Sequence, residues 1–314
     1  MALDDMIVLA LALAWDLVLG EPPAFIHPVV WMGRIAAFLE ARAPSAGALC
    51  QAVYGALTVG MVVAASVLVS WLSLLAAWEL AGVWFVLVSA FLLKCSFSLR
   101  ELQHAAKRVR RALLAGRLTE AKGELRALVS RDTSQMDEQL VASAAVESVA
   151  ENACDSFVAP LFFYLILGIP GALAYRAINT LDAMIGYHGR YEFLGKAAAR
   201  LDDLLNLIPA RLTALLIVAA AGLTGLSARG AWQIMWRDHA CTESPNAGWT
   251  MSAAAGALRV RLEKVGHYRL GDSMASPSSA TIDQALRLLW GVAALWVALS
   301  VSIEGFRYVL LNST

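Results

Sequence analysis

Long apolar blocks alternate with shorter polar stretches along this chain. A helix that crosses the hydrocarbon of a bilayer needs about 20 mostly apolar residues. Residues 49–75 meet that length, with no charge between Arg42 and Glu79. Residues 81–99 meet it too, with Lys94 near one end, where its ammonium is expected to snorkel to water. Residues 288–303 form a third block, completed by the residues from Ala285. Residues 212–226 form a fourth, extended at its start by Leu207, Ile208 and Pro209. Two blocks are ambiguous. Residues 6–19 are short and carry Asp16, while 157–174 contain Pro160 and the break Gly168-Ile-Pro-Gly171. A secretory leader competes for 6–19, but Asp4 and Asp5 stand where a leader has Lys or Arg, and no small-x-small site follows.

The polar stretches have helical texture of their own. Residues 100–129 place Leu102, Ala106, Val109 and Leu113, then Leu118, Ala121, Leu125 and Leu128, at helical spacing. Gly116 is a stop signal for the first helix, and Thr119 is the expected N-cap of the second, with Glu120 in its first turn. The expected product is a basic surface hairpin bearing Lys107, Arg108, Arg110, Arg111, Arg117, Lys122 and Arg126. A second basic stretch, 229–287, adds Arg237, Arg259, Arg261, Lys264 and Arg269. Loops rich in Lys and Arg stay cytoplasmic, so both are expected on that side, an even number of crossings apart. Residues 157–174 and 212–226 can supply two crossings, which places 176–206 outside. Alternatively one or both segments dip in and return, as backbone covered by protein allows.

Composition agrees with the pattern. Apolar residues make up 59% and charged residues 16%, against roughly 45–50% and 25% in soluble domains. Disorder is excluded by the hydrophobicity. Lys+Arg and Asp+Glu balance at 25 each, so no net charge draws the protein to nucleic acid. Cys50, Cys95, Cys154 and Cys241 are scattered, which excludes a disulfide scaffold. The expected fold is all-α and polytopic, with four to six membrane helices in one integral membrane domain, 1–314. Within it, 100–130 is the basic hairpin and 228–287 a polar cytoplasmic segment.

Candidate chemistry sits in the polar stretches. Glu147, Glu151 and Asp155 follow i, i+4, i+8 among the apolar Val146, Val149, Ala150 and Ala153. On an α-helix they form one stripe, drifting about 40° per step, whose like charges repel unless a cation or a cationic side chain sits between them. Mg²⁺ with a phosphate is the favoured occupant; pairing with Arg131 or Arg176 is the alternative. Arg131, Asp132 and Thr133 lead into that helix. The densest cluster holds Arg176, Asn179 and Asp182, then Tyr187, then Arg200, Asp202, Asp203 and Asn206, then Arg211. Asp202, Asp203 and Asn206 are expected to share a helical face as a Mg²⁺ site, with internal Arg–Asp pairing, such as Arg200 with Asp203, as the alternative. Ser244, Asn246 and Gly248 suit a tight turn, and His239 and His267 stand alone. Asp16 inside an apolar helix marks a functional position by default. No phosphate-cradling GxxxxGK[ST] or dinucleotide GxGxxG pattern is present, so a nucleotide would bind in some other way.

Taken together these segments resemble the adenosylcobinamide-phosphate synthase family of cobalamin biosynthesis. The resemblance covers nearly the whole chain. It rests on Asp16, Gly20-Glu-Pro-Pro23, His27-Pro28 and Gly33, on Ser130-Arg-Asp-Thr133, and on Glu147-Ser-Val-Ala-Glu-Asn-Ala-Cys-Asp155 followed by Ala159-Pro160. It continues through 175–187, 198–211, Ser244-Pro-Asn-Ala-Gly248, Leu262-Glu-Lys264 and Tyr268, with Thr250 a mild departure. The resemblance implies an ATP-dependent ligase in the cell (inner) membrane with a cytoplasmic active site. It would join the propionate carboxylate of adenosylcobyric acid to (R)-1-aminopropan-2-ol or its O-phosphate, with Mg²⁺ and ATP. Partners are then the corrinoid, the amine, the lipid bilayer and other late cobalamin-pathway membrane enzymes, with no nucleic acid. On this reading Glu147, Glu151, Asp182 and Asp203 are catalytic. Asp155, Asp202, Asp203 and Asn206 hold metal. Arg131, Asp132, Thr133, Arg176, Asn179, Tyr187, Arg200, Arg211, Ser244 and Asn246 bind substrate or phosphate. Two other classes compete: a Mg²⁺-dependent transferase acting on a prenyl or lipid diphosphate, and a transporter using Asp16 and Lys94 as intramembrane charges.

Overall fold

The computed structural model describes residues 2–45, 47–187, 189, 191–272 and 275–312. The chain is nearly all-α. In order it forms α1 (Ala2–Val18), α2 (Pro28–Glu40), α3 (Ala48–Leu80), α4 (Gly82–Ser96), α5 (Leu99–Leu114), α6 (Leu118–Leu125) and α7 (Glu138–Ala153). A π-helical turn, Cys154–Val158, joins α7 to α8 (Ala159–Ile185). Then come α9 (Lys196–Leu205), α10 (Leu207–Leu223), α11 (Ala228–Asp238), α12 (Ala247–Leu258), strands β1 (Leu262–Lys264) and β2 (Tyr268–Leu270), and α13 (Ser279–Asn312). Among the described residues, four helical runs are long and apolar enough to cross a membrane: Ala48–Leu80, Gly82–Leu114, Glu138–Ile185 and Ser279–Leu310. A fifth arises if α9 and α10 act as one broken span. This falls within the expected four to six.

The chain divides into two compact units. The first comprises Met1–Ser98, Ala159–Leu205 and Ser300–Thr314. In it α3 packs on α8, α4, α9 and α2, and α1 packs on α4. The expected break in 157–174 is real: Gly168 has φ +67° and ψ −162° inside α8, two residues before Pro170. Only glycine adopts that backbone readily, and proline removes a helical donor there.

The second unit comprises Leu99–Val158 and Asn206–Leu299. Its core is two small-residue helices. Residues 141–150 of α7 and 250–258 of α12 are buried on every side. Their alanines, serines and glycine let neighbouring backbones approach closely, as apolar helix packing favours. α11 lies close against α12, where a Cβ added at Gly256 would overlap the Gly230 carbonyl. The expected hairpin of 100–129 forms as α5 and α6, with Gly116 at φ +67° ending α5. Thr119 is not the cap of α6. Arg117 occupies that position with no side-chain cap bond, and its guanidinium instead pairs with Glu120 at 2.7 Å.

Candidate active site

In the first unit, Arg176, Asn179 and Asp182 rise along α8 at three-residue spacing, and α9 packs beside them. Arg176 Nη1 donates to Asn179 Oδ1 (3.2 Å), and Asn179 Nδ2 donates to Asp202 Oδ1 (3.2 Å). A cation, an amide and a carboxylate are thus ordered across two helices, each half-buried. Asp203 follows on α9, also half-buried, and Arg200 is exposed one turn earlier. Asp182 stands near the end of α8, where its carbonyl accepts the Gly186 N–H (2.7 Å), and the exposed Tyr187 follows. His188 and Arg190 of the same stretch lie outside the described residues. Asn206, the third residue of the face expected with Asp202 and Asp203, directly follows α9. α9 ends at Leu205, and the buried Asn206 takes the N-cap position of α10 in the second unit without a side-chain cap bond, its Oδ1 facing Cys154 Sγ at 3.8 Å.

In the second unit, Glu147 is 4% exposed and its carboxylate is fully engaged. Oε1 accepts from Ser143 Oγ (2.7 Å), and Oε2 accepts from Arg131 Nη2 (2.8 Å) and Tyr268 Oη (2.9 Å). Ser143 Oγ also accepts the Glu263 N–H (2.9 Å), so the β-hairpin is tied to α7 through the same cluster. Burial and the Glu147 charge push the Tyr268 hydroxyl pKa well up, which keeps it a donor. Arg131 is therefore a partner of Glu147, which is the alternative that the spacing left open. Glu151 follows one turn later, half-buried. Asp155, also half-buried, stands in the π-helical turn that begins at Cys154. Asp132 shapes its own loop, accepting Ser134 N–H (2.9 Å) and Ser134 Oγ (2.8 Å), bonds that lower its carboxyl pKa. Thr133 is buried and donates to the Lys122 carbonyl (3.2 Å).

The remaining predicted residues gather at the start of α12. Ser244 Oγ accepts the N–H groups of Asn246 (3.2 Å) and Ala247 (3.4 Å), the expected turn. Arg211 Nη1 donates to Asn246 Oδ1 (3.0 Å), and its guanidinium lies 4.9 Å from the centre of the Trp249 ring. Trp249 lies against His239, with ring centroids 4.1 Å apart and planes tilted by 36°, and meets Trp236 edge-on at 5.2 Å. A planar cation set over an aromatic ring and bonded to an amide suits carboxylate or phosphate.

A further charged network lies in the first unit. Lys94 does not snorkel. It is 0% exposed and forms ion pairs with Asp16 (3.1 Å) and Glu21 (3.0 Å), and it donates to the Phe97 carbonyl (3.1 Å). Glu21 also accepts from Ser98 Oγ (2.5 Å) and lies 3.0 Å from His27 Nε2. Burial opposes its ionisation, yet His27, Lys94 and Ser98 prevail and bring its carboxyl down to about 2. His27 Nδ1 accepts the Val29 N–H (3.2 Å) as the cap of α2, so Nε2 carries the proton toward Glu21. The signal was two opposite charges, Asp16 and Lys94, in separate apolar blocks: buried charges need partners.

Among the described residues, no three His, Cys, Asp or Glu side chains converge to hold a metal. Asp202 and Asp203 offer hard oxygen donors, which fits Mg²⁺ held chiefly by substrate phosphates with one or two carboxylates.

Long apolar helical runs with charged and polar clusters between them define a polytopic α-helical membrane protein. The chain belongs to the CobD/CbiB family, whose model, described as CobD/Cbib protein, matches residues 9–289. It is similar to the "Cobalamin biosynthesis protein CobD" of Dehalococcoides mccartyi, 46% identical over 98% of this chain and 100% of that one. It is also similar to the "Probable cobalamin biosynthesis protein CobD" of Thermococcus kodakarensis, 41% identical over 93% of each. The "Cobalamin biosynthesis protein CbiB" of Salmonella typhimurium is 38% identical over 95% of this chain and 97% of its own. No solved structure matches.

Proposed function

We propose that the protein is an ATP-dependent amide ligase. It joins the propionate carboxylate of adenosylcobyric acid to (R)-1-aminopropan-2-ol or its O-phosphate. The observation that carries this reading is the near-full-length match to relatives named for cobalamin biosynthesis. The side-chain geometry supplies chemistry the reaction needs. A carboxylate is a poor acyl donor and must first be activated. Its oxygen attacks the γ-phosphorus of ATP, ADP leaves, and an acyl phosphate forms. The amine nitrogen then attacks the acyl carbon, phosphate leaves, and a base removes the ammonium proton.

Arg176, oriented by Asn179, and Arg211, oriented by Asn246, are the phosphate and carboxylate clamps in this reading. Asp202 and Asp203 would hold Mg²⁺, which neutralises phosphate charge when bound. Glu151 and Asp182 are the candidates for the base. Glu147, with three donors already on it, acts as an anchor that fixes Arg131 and the β-hairpin. The reading is tested by incubating the reconstituted protein with adenosylcobyric acid, aminopropanol phosphate, ATP and Mg²⁺, and seeking the amide by mass spectrometry. Amide with matching ATP consumption supports it. ATP-independent transfer of a prenyl group, or transport without ATP hydrolysis, would replace it.

A further inference from the structure

Residues 224–227 alone separate the apolar α10 from α11. Leu223, at the end of α10, is exposed, as expected of a helix leaving hydrocarbon. One face of α11, Ala231, Ile234, Met235 and Asp238, is buried within its unit. The opposite face presents Arg229, Trp232, Gln233, Trp236 and Arg237, all exposed. Trp232 is 46% and Trp236 52% exposed, with ring centroids 5.8 Å apart. α11 itself places no acidic side chain on that face, and Arg237 at its edge is paired with Asp238 (2.6 Å) and with the exposed Asp272 (2.8 Å). A helix facing only water has no use for two adjacent indoles on its outer stripe. Indole rings settle at the headgroup level, where one edge is apolar and the other wet. Arginine beside them is drawn to anionic headgroups.

We propose that α11 lies in the headgroup layer of an anionic bilayer, on the face where α10 ends. Trp232 and Trp236 enter the boundary between headgroups and acyl chains, and Arg229 contacts lipid phosphate. The seating has a consequence for chemistry. Trp236 abuts Trp249, and Trp249 lies beneath Arg211, so the lipid-seated helix touches the Arg211–Asn246 pair through one aromatic contact.

The test uses the full chain, with the exposed Cys50 and Cys241 changed to serine, in vesicles of phosphatidylcholine with and without phosphatidylglycerol. A nitroxide is attached at Trp232→Cys, at Gln233→Cys, which keeps both indoles, or at Arg117→Cys in the exposed α5–α6 turn. Collision with oxygen, which concentrates in lipid, is compared with collision with a water-soluble nickel chelate. The expected oxygen-to-nickel ratio is severalfold higher at 232 and 233 than at 117, and it falls when phosphatidylglycerol is omitted or when Arg229→Gln is added. Ratios at 232 and 233 equal to that at 117 overturn the proposal. So does shielding that appears only on adding a free corrinoid, which makes the face a ligand platform. Shielding that appears only at high protein-to-lipid ratio also overturns it, because a second copy is then the occupant.

Discussion

Asp203 is the residue on which the Mg²⁺–phosphate reading is most exposed to test. Asp203→Asn keeps size and hydrogen bonding but removes the charge, so turnover should fall roughly 10- to 100-fold, the scale seen when a metal site loses a supporting group. Added Mg²⁺ should restore part of the rate while folding yield stays unchanged. Lost yield without Mg²⁺ rescue would make Asp203 a structural partner instead. Tyr268→Phe should leave the Glu147 carboxylate short of a donor and lower stability by about 1–3 kcal/mol, read as a lower unfolding midpoint in detergent. Glu21 gives a pH signature. Its folded pKa, about 2, lies below the ordinary 4.5, so its ionisation stabilises the folded state above pH 4.5. That contribution is lost as pH falls from about 4.5 towards 2. Glu21→Gln should flatten the unfolding midpoint across this window; an unchanged slope would show that other carboxylates dominate acid unfolding.

Elements were legible where a single physical signal dominated. Apolar block length gave the long helices, helical spacing gave α5 and α6, and the Gly168–Pro170 pair gave the break in α8. The π-helical turn at Cys154 and the end of α9 at Leu205 were not legible, because neither has a local sequence signal of the strength of proline or glycine. Partners far apart in sequence, such as Tyr268 with Glu147 or Lys94 with Glu21, depend on tertiary packing that periodicity does not encode. The α11–α12 crossing offers a test at this scale. Gly256→Ala places a methyl against the Gly230 carbonyl and should cost about 1–3 kcal/mol through overpacking. Gly222→Ala, where an added Cβ meets only the Ala228 methyl at 3.7 Å, should be near neutral. Equal unfolding midpoints for the two variants would show that the crossing relaxes freely.

For the whole molecule, the positive-inside rule predicts that the 228–287 segment faces the cytoplasm. Exposed Cys241 then reports the side directly. With Cys50 changed to serine, an impermeant maleimide should label inverted vesicles and spare intact cells. Labelling in intact cells would put Arg211 and Asn246 on the side without ATP. The proposed reaction itself is tested most directly by isotope transfer. Adenosylcobyric acid carrying ¹⁸O in its propionate is supplied with the amine, ATP and Mg²⁺ to the reconstituted protein, and the released phosphate is analysed by mass spectrometry. Activation as an acyl phosphate predicts one ¹⁸O in inorganic phosphate for each amide formed, with ADP as the other product. Amide formed with ¹⁸O in AMP, or with no ATP consumed, would contradict the mechanism, and no amide at all would contradict the function.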